Sequence, residues 1–151
     1  RYVERIARAK AERGWSVVGE CRLAPRLVLA ADTTVELDGE ILGKPVDAAG
    51  ARETLRRLSG RAHRVLSAVA VAFEDAVEAA VSVSEVRFGT IDEADIRRYV
   101  ASGDPMDKAG AYGIQGRAGM FVEHLSGSYS GVMGLPLHET ARLLRRFGFP
   151  L

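Results

Sequence analysis

The stretch LVLAADTTVELDGEILGKP, residues 27–45, brings an apolar run, a carboxylate, a tight turn and a lysine together within a short length of chain. Leu27–Ala31 is wholly apolar, which predicts a short strand covered on both faces. Asp38-Gly39 lies between TTVEL and EIL and predicts a two-residue hairpin. We therefore expect a strand that ends at Asp32 and a hairpin that brings Lys44 back near this carboxylate.

Local signals predict most of the remaining elements. Helical spacing predicts a first helix over residues 2–13 that Gly14 ends, followed by a loop over 15–26. Asp47 predicts the cap of a second helix through about Leu58. The segments HRVLSAVAVAF and AVEAAVSVSEVRF predict two long antiparallel strands in the centre of a sheet. Two further helices are predicted, one opened by a capping box of Thr90 and Glu93 and one opened by Pro136.

Composition limits the class of protein. A chain of 151 residues with 47% hydrophobic residues is expected to form one domain with a buried core. Its net charge of +1 does not favour nucleic-acid binding or a polybasic membrane anchor. The single cysteine, Cys21, fits a reducing compartment, and no apolar run approaches the length of a membrane span, so a cytoplasmic protein is expected.

Three features are candidates for a functional site. Asp32 can hold a divalent cation or accept a proton from water, although a strand-ending aspartate also caps its own backbone. Only Lys10, Lys44 and Lys108 among the 21 basic residues are lysines, and an ammonium group suits phosphate oxygens. The segment DPMDKAGAYGIQGRAG, residues 104–119, has a glycine at every third position from Gly110, which is typical of anion-binding nests and also of ordinary loops.

Other polar segments are less informative. In the segment SGSYSGVMGLP, residues 126–136, the serines and Tyr129 could contact a ligand, but they are equally typical of turns. His63, His124 and His138 lack the spacing of metal ligands, and Cys21 has no evident histidine partner.

Taken together, these segments resemble the Maf family of nucleoside triphosphate pyrophosphatases, which were first named for septum formation. The motifs YVERIARAKA, ADTTVELDGEILGKP, LSGRAHRVLSAV, YVASGDPMDKAGAYGIQG and GSYSGVMGLPL occur in the family's order and spacing. The resemblance implies an α/β fold with an elongated, mixed and twisted sheet flanked by helices, divided into two lobes by a cleft and similar to the inosine triphosphate pyrophosphatases.

The resemblance also implies roles for individual residues. Asp32 matches the family's proton acceptor and is the candidate ligand of a divalent cation, Mg²⁺ or Mn²⁺. The phosphates are expected to meet the lysines, Lys44 first and Lys10 and Lys108 in support. Thr33 and Gln115 match positions linked to substrate choice, and threonine at the first of them is typical of the branch that acts on dTTP and UTP. The implied partner is a nucleoside triphosphate, with no nucleic acid or membrane, and a homodimer is allowed.

The family also has an N-terminal strand and an SASPRR-like loop that binds phosphate, and this chain contains neither. We therefore expect residues 1–151 to be a single Maf-like domain without that segment. The implied reaction is hydrolysis of dTTP or UTP, normal or modified, to the monophosphate and pyrophosphate. Two alternatives stay open at this stage, namely a non-catalytic nucleotide-binding regulator of septum formation and a purine pyrophosphatase of the ITP type.

Overall fold

The computed structural model describes residues 2–151, which form a five-stranded sheet with helices on both faces. The strands are β1 (Val28–Leu37), β2 (Glu40–Leu42), β3 (Ala62–Phe73), β4 (Ala76–Phe88) and β5 (Val122–Ser126). The helices are α1 (Tyr2–Glu20), α2 (Ala48–Leu58), α3 (Glu93–Ala101), α4 (Tyr129–Met133) and α5 (Leu137–Arg146). Three short 3-10 segments, Asp104–Asp107, Ala109–Ala111 and Arg117–Phe121, lie between α3 and β5. The predicted α/β class with a helix-flanked sheet is confirmed.

The sheet has the order β2-β1-β3-β4-β5, and every neighbouring pair is antiparallel. Within residues 2–151 the sheet is therefore antiparallel and not mixed as the family resemblance implied. The predicted central hairpin is confirmed, since β3 and β4 pair along their whole length from Ala62 opposite Arg87 to Phe73 opposite Ala76. The predicted turn between β1 and β2 is confirmed as well. Asp38 and Gly39 have φ values of 53° and 83°, and two positive φ values are what the favoured two-residue hairpin turn requires.

Strand β1 does not end at Asp32 as predicted. It runs on to Leu37, and Asp32 pairs with Ala68 of β3 in the middle of the strand. The alternating residues after Asp32 include Thr33 and Val35, which suit a half-buried strand, so a single carboxylate does not interrupt the pairing. Within residues 2–151, β2 pairs only with residues 35–37 of β1, and residues 28–34 therefore form an edge of the sheet.

Helix α1 also continues further than predicted, through Gly14 to Glu20. A Cβ atom at Gly14 would lie 2.6 Å from Cγ1 of Val28, so this glycine permits close contact between α1 and β1. The cost of a glycine inside a helix is about 1 kcal/mol, which the packing of neighbouring residues such as Val18 can offset. Among the helices that the structure describes, none combines the length and the apolar character needed to cross a membrane.

The helix caps agree with the sequence in one case and differ in another. Oδ1 of Asp47 accepts a hydrogen bond from the backbone N–H of Gly50 at 2.7 Å, as predicted for the cap of α2. The capping box of Thr90 and Glu93 is wrong, because the cap residue of α3 is Asp92. The carboxylate of Glu93 instead pairs with Arg56 of α2 at 2.6 Å.

Each face of the sheet has its own core. On one face, small residues of α1 pack on alanines of β3, and these are Val3, Ala7, Ala11, Ala68, Ala70 and Ala72. On the other face, α2, α3 and the 3-10 segments cover a larger core that includes Val35, Leu55 and Phe88, while α5 adds Leu143 over Val69. Because side chains alternate along a strand, Asp32 lies on the α1 face and Thr33 lies on the opposite face.

Candidate active site

A pocket of about 350 Å³ lies at the edge of β1 and includes all six residues that the sequence predicted for a site. These are Lys10, Asp32, Thr33, Lys44, Lys108 and Gln115. The remaining lining residues are Ala31, Val35, Val65, Ala109, Tyr112, Gly113, Ile114, Gly116, Val132 and Met133. Its volume falls within the range that small-molecule sites usually have, about 300–1,000 Å³. The structure therefore brings together residues from α1, from β1, from the loop after β2 and from the glycine-rich segment 104–119.

Asp32 and Lys10 form an ion pair on the α1 side of this pocket. The Nζ atom of Lys10 lies 2.7 Å from Oδ1 of Asp32 and 3.3 Å from the carbonyl oxygen of Ala31. The side chain of Asp32 is 18% exposed, and within residues 2–151 no hydrogen bond is made to its second oxygen, Oδ2. One carboxylate oxygen is thus held while the other is available to a ligand or water.

Thr33 heads a hydrogen-bonded chain on the opposite face of the sheet. Its Oγ1 atom lies 2.7 Å from Oγ of Ser67, the residue opposite it on β3. The Ser67 hydroxyl donates in turn to the carbonyl oxygen of Gly131 in α4. Ser67 is 1% exposed, so water does not compete for these bonds. Sequence reasoning missed Ser67, although a hydroxyl within the apolar strand HRVLSAVAVAF was a signal that could have indicated it.

Lys44 enters the pocket from the loop that follows β2. It is exposed, and among the residues that the structure describes it forms neither an ion pair nor a hydrogen bond. The preceding residue, Gly43, accepts a hydrogen bond through its carbonyl oxygen from the N–H of Gly110 at 3.1 Å. This bond joins the Lys44 loop to the glycine-rich segment, so the two loops form one wall of the pocket.

Lys108 is held by acceptors of its own segment. Its Nζ atom donates to the carbonyl oxygen of Asp104 at 2.9 Å and to Oδ1 of Asp107 at 2.7 Å. The hydrogen bond from Lys108 lowers the pKa of Asp107, and the charge of Lys44 adds a smaller effect in the same direction. A Cβ atom at Gly113 would lie 2.8 Å from the Lys108 side chain, so this glycine leaves the space that the lysine occupies.

Three glycines of the glycine-rich segment do not take part in the anion-binding nest that its pattern allowed. The backbone N–H groups of Gly110, Gly116 and Gly119 donate to carbonyl oxygens, those of Gly43, Gly113 and Gly116, and so are not directed at a ligand. Gly110 has a φ of +67°, and a Cβ atom at this position would lie 2.8 Å from the Val35 side chain. Both facts require glycine. The nest prediction is therefore wrong for these three glycines, whose role is to close turns and to permit close packing.

A buried pair, His63 of β3 and Tyr112, anchors the glycine-rich segment to the sheet. The Nε2 atom of His63 lies 2.7 Å from the hydroxyl oxygen of Tyr112, and both rings pack edge-on against Phe88. Burial lowers the pKa of His63 to about 4 and raises that of Tyr112, so both side chains are neutral at pH 7. Since Tyr112 lines the pocket between Lys108 and Gln115, this pair ties the segment that carries both residues to β3.

The charged side chains of the pocket suit a polyanionic ligand that is bound together with a divalent cation. Three lysines and one carboxylate line it. Within residues 2–151 no group of three or more His, Cys, Asp and Glu residues could hold a metal ion by itself. Mg²⁺ is commonly bound by one or two carboxylates together with substrate phosphates, and Asp32 with its available Oδ2 fits that arrangement.

Comparison with known proteins finds a matching family and several similar proteins. Residues 1–147 match the protein family described as Maf-like protein. A dTTP/UTP pyrophosphatase from Chromobacterium violaceum is 59% identical over 150 residues, which cover 99% of this chain and 76% of the relative. The dTTP/UTP pyrophosphatase of Dechloromonas aromatica is 62% identical over 148 residues, or 98% of this chain and 74% of the relative. The dTTP/UTP pyrophosphatase of Aromatoleum aromaticum is 58% identical over 151 residues, which cover 100% of this chain and 73% of the relative.

Proposed function

The chain belongs to the family of Maf-like proteins, and on this basis we propose that it hydrolyses dTTP and UTP to the nucleoside monophosphate and pyrophosphate. The observation that carries the proposal is the pocket in which Asp32 lies with Lys10, Lys44 and Lys108. A triphosphate needs several cations around it, and hydrolysis needs a group that can accept a proton from water. The pocket supplies both.

Asp32 acts on the attacking water. Its Oδ1 atom is held by Lys10, so Oδ2 is the oxygen that can orient the water and take its proton. The water oxygen forms a bond to the α-phosphorus, the bond from that phosphorus to the bridging oxygen breaks, and pyrophosphate leaves with the bond electrons. General base catalysis of this kind typically contributes about 10²–10⁴ in rate.

The lysines stabilise the charge that moves to the leaving pyrophosphate. Lys44, which is exposed and has no ion pair or hydrogen bond within residues 2–151, is available to a phosphate oxygen. Lys108 is held in the same wall by Asp107 and the carbonyl oxygen of Asp104. Preorganised cations at the site where charge develops are usually a large part of the rate enhancement.

Thr33 and Gln115 would meet the base. Both are polar residues that line the pocket, and Val35, Ile114 and Val132 line it with apolar side chains. A divalent cation would be held by Asp32 and the phosphate oxygens and would neutralise phosphate charge. The divalent cation, the homodimer and the cytoplasmic location stay predictions.

Hydrolysis of UTP with Mg²⁺ in ¹⁸O-labelled water tests the reaction. The proposal predicts UMP and pyrophosphate in equal amounts, with the label in UMP because water attacks the α-phosphorus. UDP with orthophosphate, or label in pyrophosphate, would contradict it. Binding of UTP without any turnover would instead support the alternative of a non-catalytic nucleotide-binding regulator.

A further inference from the structure

The chain of hydroxyl groups from Thr33 through Ser67 to Gly131 has a defined direction. The Ser67 hydroxyl has one proton, and the carbonyl oxygen of Gly131 can only accept. If Ser67 donated to Thr33, its oxygen and the Gly131 oxygen would face each other at hydrogen-bond distance with no proton between them. Ser67 therefore donates to Gly131, and Thr33 must donate to Ser67 across their 2.7 Å contact.

This direction determines what Thr33 can offer to a ligand. Its one hydroxyl proton is committed to Ser67, and its oxygen keeps lone pairs that no other hydrogen bond within residues 2–151 uses. Because Ser67 is buried, with 1% of its surface exposed, the arrangement cannot relax by exchange with water. Toward the pocket, Thr33 is thus an acceptor and not a donor.

We infer that Ser67 is a specificity-determining residue, which holds Thr33 as a hydrogen-bond acceptor so that the pocket selects bases with a ring N–H donor. Uracil and thymine carry such a donor at N3, whereas cytosine has a lone pair at N3 that would face the Thr33 oxygen. This inference rests on the proposed function and explains how the same site would accept dTTP and UTP and reject CTP. An unpaired buried polar group costs about 1–3 kcal/mol, which corresponds to about 5–150-fold in affinity.

The test compares the wild-type protein with Ser67→Ala, Ser67→Thr and Thr33→Val. For each, the Kd of the non-cleavable α,β-methylene analogues of UTP and CTP is measured by calorimetry, and kcat/KM is measured with UTP and CTP. Ser67→Ala frees the Thr33 proton, which can then be donated to cytosine N3. We expect the preference for UTP over CTP to fall about tenfold, mainly through tighter CTP binding. Ser67→Thr keeps the hydroxyl and is expected to keep the wild-type preference.

Thr33→Val removes the acceptor itself and is the second variant, since its shape is close to that of threonine. It is expected to weaken UTP binding about tenfold and so to reduce the preference for UTP. A preference that is unchanged in both Ser67→Ala and Thr33→Val would overturn the inference. So would equal losses of UTP and CTP binding in Ser67→Ala, because a purely structural role predicts that result.

The two readouts separate this inference from the proposed function. Binding that discriminates UTP from CTP through Ser67, without pyrophosphate release, would overturn the function and support the inference. Pyrophosphate release from UTP with a preference that does not depend on Ser67 would support the function and overturn the inference. A wild-type protein that binds neither analogue would overturn both.

Discussion

Oδ1 of Asp32 on β1 lies 2.7 Å from Nζ of Lys10 on α1, and this ion pair joins the sheet edge to the helix that covers it. The pair holds one oxygen of a carboxylate that lines the pocket, and the other oxygen accepts no hydrogen bond within residues 2–151. It also explains why an acidic residue is tolerated within a strand of the sheet.

Replacing Asp32 with Asn removes the proton acceptor and keeps the shape of the side chain. We expect kcat for UTP to fall by about two to four orders of magnitude. The Kd of the non-cleavable UTP analogue is expected to change much less, because the three lysines remain. Stopped or continuous pyrophosphate assays give kcat, and full activity in Asp32→Asn would refute the assigned role.

Replacing Lys44 with Met removes a cation that has no other partner among residues 2–151. A hydrogen bond to a charged group contributes about 1.5–3 kcal/mol, so kcat/KM for UTP should fall about 10–100-fold. Arg87→Met is the matched control, since Arg87 is an exposed cation on β4 outside the pocket. Equal effects of the two substitutions would show that only net charge matters.

Replacing Gly110 with Ala should disturb both stability and the pocket wall. The φ of +67° disfavours any Cβ, and the new atom would lie 2.8 Å from Val35. Strained backbone and overpacking each cost about 1–3 kcal/mol, so urea unfolding should show a loss of about 2–6 kcal/mol.

The control for Gly110→Ala is Gly19→Ala. Gly19 lies in α1, and a Cβ atom there would meet nothing within 4 Å. Alanine is the better helix former, so this variant should gain up to about 1 kcal/mol. If Gly110→Ala were as stable as the wild type, the close packing of Gly110 on Val35 would be contradicted.

The stability of the protein should depend on pH through His63. Burial lowers its pKa to about 4 from an ordinary value of 6.5, so the unfolded state binds more protons between these two pH values. Unfolding free energy is therefore lost as pH falls through this window, by about 2 kcal/mol from pH 7 to pH 5 and about 3 kcal/mol over the whole window.

The variant His63→Gln provides the comparison, because glutamine can still bond to Tyr112 and does not titrate. Urea unfolding at pH 7 and pH 5 should show a smaller decrease for the variant than for the wild type. The exposed residues His124 and His138 are common to both proteins and cancel in the difference. The same decrease in both proteins would exclude His63 as the cause.

The sequence predicts well those features that depend only on neighbouring residues, such as turns and helix caps. The turn at Asp38-Gly39 and the cap at Asp47 depend on one or two residues and their own backbone. The six site residues could be named from lysine usage, from Asp32 and from the family resemblance, and the structure places them around one pocket.

What the sequence did not predict depends on contacts between distant segments. A glycine at position 14 predicts the end of a helix. In the structure Gly14 lies inside α1, where Val28 packs against it. Ser67 and His63 are polar residues in an apolar strand, and their meaning comes from Thr33, Gly131 and Tyr112, which lie far away in sequence. No local pattern specifies such partners.

A panel of nucleotide substrates tests the proposed reaction and its base preference most directly. Pyrophosphate release is measured with Mg²⁺ and dTTP, UTP, CTP, GTP and ITP in separate assays, with Asp32→Asn as the background. Release from dTTP and UTP is expected to exceed release from the other three nucleotides by at least about tenfold and to fall by about two to four orders of magnitude in Asp32→Asn. Equal or faster release from ITP, GTP or CTP, or release at the wild-type rate in Asp32→Asn, would contradict the proposed reaction.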